Sequence, residues 1–382
     1  AFFLLQPEGS SIGSTPSSRA VATYPKSVPF EDRFEDGEIL VTNPPEGFEV
    51  GAIEMGFQVL ERIELRELSL SLLRLGIPAG SNVKKARRDL SNKFPGVNLD
   101  ASHHFEAQAL KDYEKSIPRA IIGWDKATNQ CGKGIRLGMI DAPVDTSHPA
   151  LKGRNVEFRS FHRKDRKPGP ADHGTAVAAM LVGIPEWGGL LPGASLMAAN
   201  MFEVNKAGRV VGNAVALLKA IDWLAKEDVH VVNLSVAGAN NKVVKKAFDQ
   251  ARKKGLSMVA AAGNGGKTAK PAYPAAYKDV LAVTAFGAKR KIYSNANIGG
   301  YIDFAAPGVK IYTAVPGGGR LQSGTSFASP YVAVLVSLQT VRGKKSASTL
   351  RKTLSKRVLD LGKPGKDEIF GWGLANMQPS CG

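Results

Sequence analysis

The chain contains little cysteine and no long apolar run. Its 382 residues include two cysteines, Cys131 and Cys381, and two isolated cysteines lack the spacing of a zinc-ligand set. No stretch of 18 uncharged apolar residues occurs, so the sequence offers no candidate transmembrane helix. Hydrophobic residues nevertheless make up 43% of the chain, which supports a sizeable core and leaves room for two domains.

Acidic residues are also scarce relative to basic ones. The chain has 51 Lys and Arg against 34 Asp and Glu, a net charge of +17, with basic clusters at 84–88 and 159–167. Neither cluster alternates with aromatic residues as a base-stacking surface would, so we expect no specific nucleic-acid partner. A solvated basic surface that attracts anionic cell envelopes or acidic substrates is the simpler interpretation.

Three segments place a polar side chain where one predicted element ends and the next begins. Asp141 directly follows a predicted strand, His173 opens an apolar run typical of a buried helix, and Ser326 precedes another such run. An acid, an imidazole and a hydroxyl are the parts of a Ser–His–Asp triad, and the order Asp…His…Ser is that of subtilisin. Asn264, at a glycine turn after a fourth apolar stretch, can donate a hydrogen bond to an oxyanion.

Together these segments resemble the subtilisin-like (subtilase) serine peptidases. The motifs D-x-x-V, H-G-T-x-V-A, A-A-G-N and G-T-S-x-A-x-P occur in the family's order, from about Lys115 to the C-terminus. The resemblance implies an α/β fold with a parallel β-sheet flanked by helices. It also implies a serine endopeptidase that forms an acyl-enzyme, with Asp141 as orienting acid, His173 as general base, Ser326 as nucleophile and Asn264 as oxyanion donor.

The sequence departs from the family pattern after its aspartate. Ala142-Pro143 replace the usual hydroxyl residue and glycine, and proline fixes φ, so Asp145 remains a rival acid. Ala176 replaces a second histidine that the chemistry does not require. The departure keeps open a degenerate peptidase that acts as a binding or signalling module. A peptide ligase, in which an amine captures the acyl-enzyme, is a further alternative.

The resemblance also implies substrate-binding residues. An extended peptide would pair with one strand by main-chain hydrogen bonds, and small uncharged walls would favour a large apolar side chain before the scissile bond. These residues are Ser235, Val236, Ala237, Gly238, Ala262, Gly263 and Ala272. We expect no required cofactor and no metal at the triad. Structural calcium, common in the family, stays open but is not evident, because 183–193 contains one acid, Glu186.

The chain divides into three parts by pattern. Residues 1–36 are rich in Ser, Pro and Gly and are predicted to form a flexible leader. Residues 37–114 show a βαββαβ order, which predicts a small ferredoxin-like α+β domain. In 115–382, strands and helices alternate from Gly134 onward, which predicts a parallel sheet covered on both faces.

In the family such a small domain is an inhibitory prodomain that assists folding and lays its tail through the substrate groove. By that resemblance, autoprocessing is expected between about Phe105 and Arg119. The alternative is a permanent domain that is never cut. His103-His104 are interpreted as solvated or packed residues of this domain rather than a metal pair or pH sensor.

A monomeric, secreted or periplasmic protein that acts on polypeptides completes the expectation. A Cys131–Cys381 disulfide would suit an exported protein, and two free thiols remain the alternative.

Overall fold

The computed structural model describes residues 29–107, Trp124 and 128–376. Its elements form an N-terminal unit, residues 34–107, and a C-terminal unit, residues 128–376. The predicted leader boundary at residue 36 is wrong, since the first strand already begins at Phe34. Residues 1–28 of that leader lie outside the described part of the chain.

The N-terminal unit has the element order β-α-β-β-α-β that the sequence predicts. Its strands form an antiparallel sheet in the order β2-β3-β1-β4. Two helices cover one face of this sheet, burying Phe48 and Leu90 against Ile39 and Val41. The elements are β1 (Phe34–Thr42), α1 (Phe48–Glu54), β2 (Gln58–Leu65), β3 (Leu70–Gly76), α2 (Val83–Lys93) and β4 (Asn98–Ala107).

The C-terminal unit is built on a nine-stranded sheet, in the order β17-β18-β14-β13-β12-β10-β5-β7-β6, whose pairs are parallel except at the β17 edge. Its strands are β5 (Arg136–Asp141), β6 (Asn155–Ser160), β7 (Ser195–Asn200), β10 (Val231–Leu234), β12 (Met258–Ala261), β13 (Leu281–Phe286), β14 (Phe304–Pro307), β17 (Val358–Leu359) and β18 (Leu374–Ala375). Shorter strands outside it are β8 (Phe202–Val204), β9 (Val210–Asn213), β11 (Val236–Gly238), β15 (Ile311–Val315) and β16 (Gly318–Gln322).

Helices cover both faces of the parallel sheet. They are α3 (Asp172–Val182), α4 (Ala214–Lys226), α5 (Lys242–Lys253), α6 (Ser329–Thr340) and α7 (Ala347–Ser355). One core cluster contains α3, α6 and α7, and a second contains α4 and α5. The apolar stripe of α4, predicted to be core, is buried at Val215, Leu218, Ile221 and Leu224. Because β5 lies inside the sheet beside β7 and β10, Asp141 at its carboxyl end is at the edge where such folds place their ligands.

The two units share a sheet and a packed face. Strand β4 pairs with β9 and with β11, both antiparallel, and the N-terminal sheet contacts α4 and α5. Polar contacts reinforce the packing: the Leu68 amide donates to Asp222 Oδ1 at 2.9 Å, and the Lys242 amide donates to Asp100 Oδ2 at 3.0 Å. Asp100 thus accepts a free N–H at the start of α5, where a negative charge is favourable.

The basic clusters are not uniformly solvated, and that part of the interpretation is wrong. Arg163 and Arg166 are only 10% and 4% exposed at their side chains, because carboxylates of the N-terminal unit cover them. On α2, by contrast, Lys84 and Lys85 are exposed but paired with acids. Acidic residues thus offset part of the positive charge of each cluster.

Candidate active site

An acid and an imidazole from two different elements meet at the carboxyl edge of the sheet. Asp141 ends β5 and is fully buried, and His173 lies in the first turn of α3 and is 9% exposed. The Nδ1 atom of His173 lies 2.6 Å from Asp141 Oδ1. That oxygen also accepts a hydrogen bond from the Ala142 amide at 2.6 Å. Replacing the usual hydroxyl residue and glycine by Ala142-Pro143 has therefore not separated the acid from the imidazole.

The rival acid Asp145 makes other contacts. Its Oδ1 accepts hydrogen bonds from the amide and the hydroxyl of Ser147, at 3.1 and 2.5 Å. Its own amide donates to Thr175 Oγ1 at 2.9 Å. These bonds form a local turn in which the carboxylate serves Ser147 rather than His173.

Gly174 and Thr175, which follow the histidine, let the start of α3 pack closely against the chain after β5. A Cβ atom at Gly174 would lie 2.2 Å from the Ala142 carbonyl oxygen and 2.3 Å from that of Pro143. Only a glycine lets the start of α3 approach the chain that leaves β5. Thr175 then secures the same contact by accepting from the Asp145 amide. The local sequence thus sets the spacing between Asp141 and His173.

Ser326 lies in a 3₁₀ turn, Thr325–Phe327, that leads into α6. Its hydroxyl donates to the Ser235 carbonyl at 3.4 Å, and Ser235 Oγ donates back to the Ser326 carbonyl at 3.2 Å. The ring of Phe327, the next residue, lies 5.3 Å from the His173 ring between centroids. The imidazole is thus beside the serine turn. His173 Nε2 is buried and makes no hydrogen bond within the described part of the chain.

Asn264 is oriented by the residue before the serine. Its Oδ1 accepts from the Thr325 amide at 3.0 Å and from Thr325 Oγ1 at 2.9 Å. Because an amide N–H can only donate, the oxygen must face Thr325, and the NH₂ group points away from it. The preceding Gly263 has a φ of +108°, and a Cβ there would lie 2.9 Å from Ala272 Cβ. Glycine is therefore needed for the turn that presents Asn264.

The residues predicted to bind substrate are also brought together. Val236, Ala237 and Gly238 form β11, and Ser235 precedes it. Gly238 exchanges backbone hydrogen bonds of 2.8 and 3.0 Å with Tyr273, which brings Ala272 beside this strand. Ala262 and Ala272 are fully buried. Tyr301 donates to the Ala262 carbonyl at 2.7 Å, and burial raises the pKa of Tyr301 to about 12, so this donor stays protonated.

Strand β4 of the N-terminal unit occupies the space beside β11. Phe105 pairs with Gly238 on one side and Gly212 on the other, and Val236 pairs with Ala107. The next residue toward the serine is Ser235, whose carbonyl accepts from Ser326. The strand therefore runs antiparallel to β11, next to the residue that contacts Ser326.

Some contributors went unnoticed in the sequence. The second role of Ser235, as a hydrogen-bond partner of Ser326, and the anchoring roles of Thr175, Thr325 and Gly174 were not predicted. The signal was present, since each of the last three lies inside an H-G-T or G-T-S motif. What the motif does not state is which backbone the threonine or glycine contacts, because that depends on tertiary packing.

The structure also bears on possible metal ligands, on the two cysteines and on membrane-spanning helices. Among the described residues, no group of three or more His, Cys, Asp or Glu is arranged to hold a metal ion. Cys131 is disulfide-bonded, while Cys381 lies outside the described residues. No helix in the described ranges combines the length and apolar character that crossing a bilayer requires.

Comparison with known proteins decides the family. A family model described as the subtilase family matches residues 132–373. This chain belongs to the subtilase family. It is similar to subtilisin DY from Bacillus licheniformis, with 31% identity over 275 residues that cover 68% of this chain and 96% of the relative. With thermitase from Thermoactinomyces vulgaris it shares 32% identity over 243 residues, 62% of this chain and 84% of that protein. The chain is thus a subtilisin-like serine endopeptidase.

In two further comparisons the match covers less than two thirds of the other protein. It shares 32% identity over 253 residues with the minor extracellular protease Epr of Bacillus subtilis (strain 168), which covers 64% of this chain but 38% of that protein. The crystal structure of fervidolysin from Fervidobacterium pennivorans, titled a keratinolytic enzyme related to subtilisin, matches with a TM-score of 0.70 and 23% identity. That match covers 90% of this chain and 60% of fervidolysin, and it supports the subtilisin-like α/β fold.

Proposed function

We propose that this subtilase hydrolyses peptide bonds through an acyl-enzyme on Ser326 and is made as a zymogen inhibited by its N-terminal unit. The observation that carries the proposal is the 2.6 Å contact between His173 Nδ1 and Asp141 beside the Ser326 turn. In this scheme Ser326 attacks the peptide carbonyl, His173 takes the serine proton and returns it to the leaving amine, and Asp141 orients the imidazole.

The tautomer of His173 follows from its partner. A carboxylate only accepts hydrogen bonds, so Nδ1 carries the proton and Nε2 is left as the base. An acceptor nitrogen buried without a donor is costly, and it is useful where a proton is about to arrive. The hydroxyl of Ser326 makes a long bond of 3.4 Å to the Ser235 carbonyl, and in the proposed reaction it leaves this carbonyl and gives its proton to Nε2.

Asn264 is the proposed oxyanion donor. Its amide is held by Thr325, the neighbour of the nucleophile, so its NH₂ group keeps a fixed orientation during the reaction. A donor that is oriented beforehand costs no reorganisation when negative charge develops. The Ser326 amide would be the second donor.

The zymogen part of the proposal rests on β4. We interpret residues 34–107 as a ferredoxin-like prodomain whose last strand fills the substrate groove between β9 and β11. Because β4 is paired as far as Ala107, we expect autoprocessing after Ala107 and before about Arg119. This bond lies outside the described residues. The predicted limit between the domains 37–114 and 115–382 would then be set by the bond that is cleaved.

A fluorophosphonate probe tests the nucleophile. The processed enzyme should label at Ser326, and Ser326→Ala should abolish the label while still unfolding in a cooperative thermal transition. Ser337→Ala on α6, far along the helix from the turn, is the matched control and should label normally. A folded, processed protein that never labels would support the binding-module alternative.

Intact mass and N-terminal sequencing test the zymogen. Wild-type protein should lose its N-terminal unit with a new terminus between residues 108 and 119, and Ser326→Ala should stay full length. If both proteins stay full length while the wild type cleaves peptides, the N-terminal unit is a permanent domain.

Substrate preference and location complete the proposal. The small walls at Ala262, Gly263 and Ala272 would admit a large apolar or aromatic side chain before the scissile bond, and a peptide library cleaved only after Lys or Arg would contradict this. We also propose export to the cell exterior or periplasm, supported by the disulfide-bonded Cys131 and by a relative named as an extracellular protease.

A further inference from the structure

A buried pair of arginines lies beyond the triad, at the contact between the two units. Arg166 binds Glu35 of β1 with both terminal nitrogens, at 2.6 and 3.1 Å, and Arg163 binds Glu38 in the same way, at 2.7 and 2.9 Å. Two-point guanidinium–carboxylate pairs are strong and geometrically selective. We call Arg163 and Arg166 the arginine clamp.

The clamp itself belongs to the C-terminal unit, and one acid there supports it. Glu203 of β8 is fully buried and contacts Arg166 Nη1 at 2.9 Å and Arg163 Nε at 3.7 Å. It also accepts from the Arg163 amide at 2.8 Å. Glu203 thus hydrogen-bonds the guanidinium of Arg166 and the main chain of Arg163, so the arrangement of the clamp does not depend on the N-terminal unit alone.

Charge remains on the clamp when the N-terminal unit leaves. Removing Glu35 and Glu38 takes two carboxylates away from two buried arginines and leaves Glu203. The surrounding segment 159–167 carries five basic side chains and a single acid, Asp165. A processed enzyme would thus hold a partly preformed carboxylate site, now open to solvent.

The clamp lies within reach of a peptide in the groove. His104 of β4 pairs with Asn213 of β9, and its Nε2 lies 3.1 Å from the Glu35 carboxylate that Arg166 binds. A glutamate side chain extends about as far from its Cα as a histidine ring. A substrate glutamate in the place of His104 would bring its carboxylate to about the position of His104 Nε2, which adjoins the space that Glu35 vacates beside Arg166.

We propose that Arg163 and Arg166 form an anionic-residue subsite of the processed enzyme, selecting substrates with a glutamate or aspartate upstream of the scissile bond. The residue that it reads is the one directly before the substrate residue lying between Gly212 and Gly238. The proposal rests on the proposed peptidase function and on removal of the N-terminal unit. Before processing, Glu35 and Glu38 of the N-terminal unit would occupy the site that a substrate carboxylate binds afterwards.

Matched peptides test the subsite. A series with a fixed apolar residue before the scissile bond carries one Glu, moved along the upstream positions, and each peptide has a Gln twin. At one upstream position the processed enzyme should cleave the Glu peptide with about tenfold higher kcat/KM than its twin. High salt should reduce the ratio, since the site is open to solvent.

Variants assign the effect to the clamp. Arg166→Gln should bring the Glu-to-Gln ratio of kcat/KM near one, and the Gln peptide measured on the same variant corrects the ratio for any general loss of activity. Arg166→Gln with Glu203→Gln leaves no unpaired acid and should give the same result if the single variant is unstable. Arg159→Gln, an exposed arginine of the same segment paired with Glu157, is the control and should keep the wild-type ratio.

The outcomes separate the two proposals. Cleavage of the Gln peptides with no Glu preference at any position overturns the subsite and leaves the peptidase standing. A preference that persists in both Arg166 variants and in Arg163→Gln also overturns it. Cleavage of neither peptide series contradicts the peptidase function, and the subsite falls with it.

Discussion

At the contact between the two units, Arg163 and Arg166 each hold a carboxylate by two hydrogen bonds, whereas at the active site His173 Nε2 is buried without a hydrogen-bond partner among the described residues. Both regions are largely removed from water, so the difference is not one of exposure. Two-point pairing of opposite charges stabilises a fixed contact, and an unpaired acceptor nitrogen leaves capacity for a proton that arrives during a reaction. The arginine pairs thus hold the two units together, whereas the unpaired nitrogen of His173 is suited to the proposed reaction.

The largest effect should come from the acid behind the histidine. Asp141→Asn replaces an oxygen that only accepts by a group that can also donate, which favours the wrong tautomer of His173. We expect kcat on a neutral peptide to fall about 10⁴-fold, a magnitude known from other triad enzymes rather than from this structure. Asp145→Asn is the matched control and should stay near wild type, because its Oδ1 can still accept from Ser147. The reverse ranking of the two variants would make Asp145 the acid.

The oxyanion donor should rank second. Asn264→Leu removes the NH₂ group and should lower kcat by about 10²–10³-fold with little change in KM, following the value for the corresponding donor in subtilisin. Thr325 also loses an acceptor, so thermal unfolding of the variant must be measured beside its kinetics. A drop in stability with unchanged kcat would make Asn264 a structural residue only.

A smaller loss is expected from the spacing between β5 and α3. Gly174→Ala drives a methyl group against the Ala142 and Pro143 carbonyls, which should cost about 3 kcal/mol of unfolding free energy and pull His173 away from Asp141. Denaturant unfolding and peptide kinetics would report the two effects. Gly300→Ala is the control, because nothing lies within 4 Å of the added carbon. Equal stability of the two variants would contradict the close approach.

The smallest effect concerns pH at the contact between the units. Asn241 Oδ1 accepts from the Val244 amide and its NH₂ donates to the Ala101 carbonyl, so the NH₂ must also donate to His103 Nδ1, at 2.9 Å. Nδ1 is therefore unprotonated. Burial lowers the pKa of His103 below its ordinary 6.5, although Asp100 opposes this and Arg87 and His104 assist it.

Docking should therefore weaken as the pH falls. Below pH 6.5, His103 of the undocked unit binds a proton more readily than His103 of the docked unit. Docking is thus strongest above about pH 6.5, and its equilibrium constant falls by up to about tenfold per pH unit below that value. Hydrogen exchange of β4 amides in full-length Ser326→Ala should speed up as pH falls, after correction for intrinsic exchange rates. His103→Gln should flatten this trend, and His162→Gln should not. A trend unchanged by His103→Gln would remove this histidine from the account.

Prediction from sequence placed elements correctly where a residue's neighbours lie close along the chain. Asp141 follows a strand and His173 opens a helix as predicted, because each of these patterns is local. The βαββαβ order of the N-terminal unit was readable for the same reason. The catalytic roles of Asp141, His173, Asn264 and Ser326 stay predictions. The ion pairs of Arg163 and Arg166 could not be predicted in this way, because their partners Glu35 and Glu38 lie more than 120 residues earlier in the chain. A basic run in sequence does not reveal whether acids from another unit cover it.

The boundary of the N-terminal unit was missed for a related reason. Residues 34–36 resemble the polar leader in composition, yet Phe34 pairs with His103 across the sheet. Long-range pairing decided the strand, and local composition did not.

The central claim is that Asp141, His173 and Ser326 act as one catalytic unit, and a double-mutant cycle on Ser326 and His173 tests it most directly. Residues that act together are grossly non-additive, so Ser326→Ala, His173→Ala and the double variant should share nearly the same residual kcat on one neutral peptide. Losses that add, with the double variant far slower than either single one, would contradict the account.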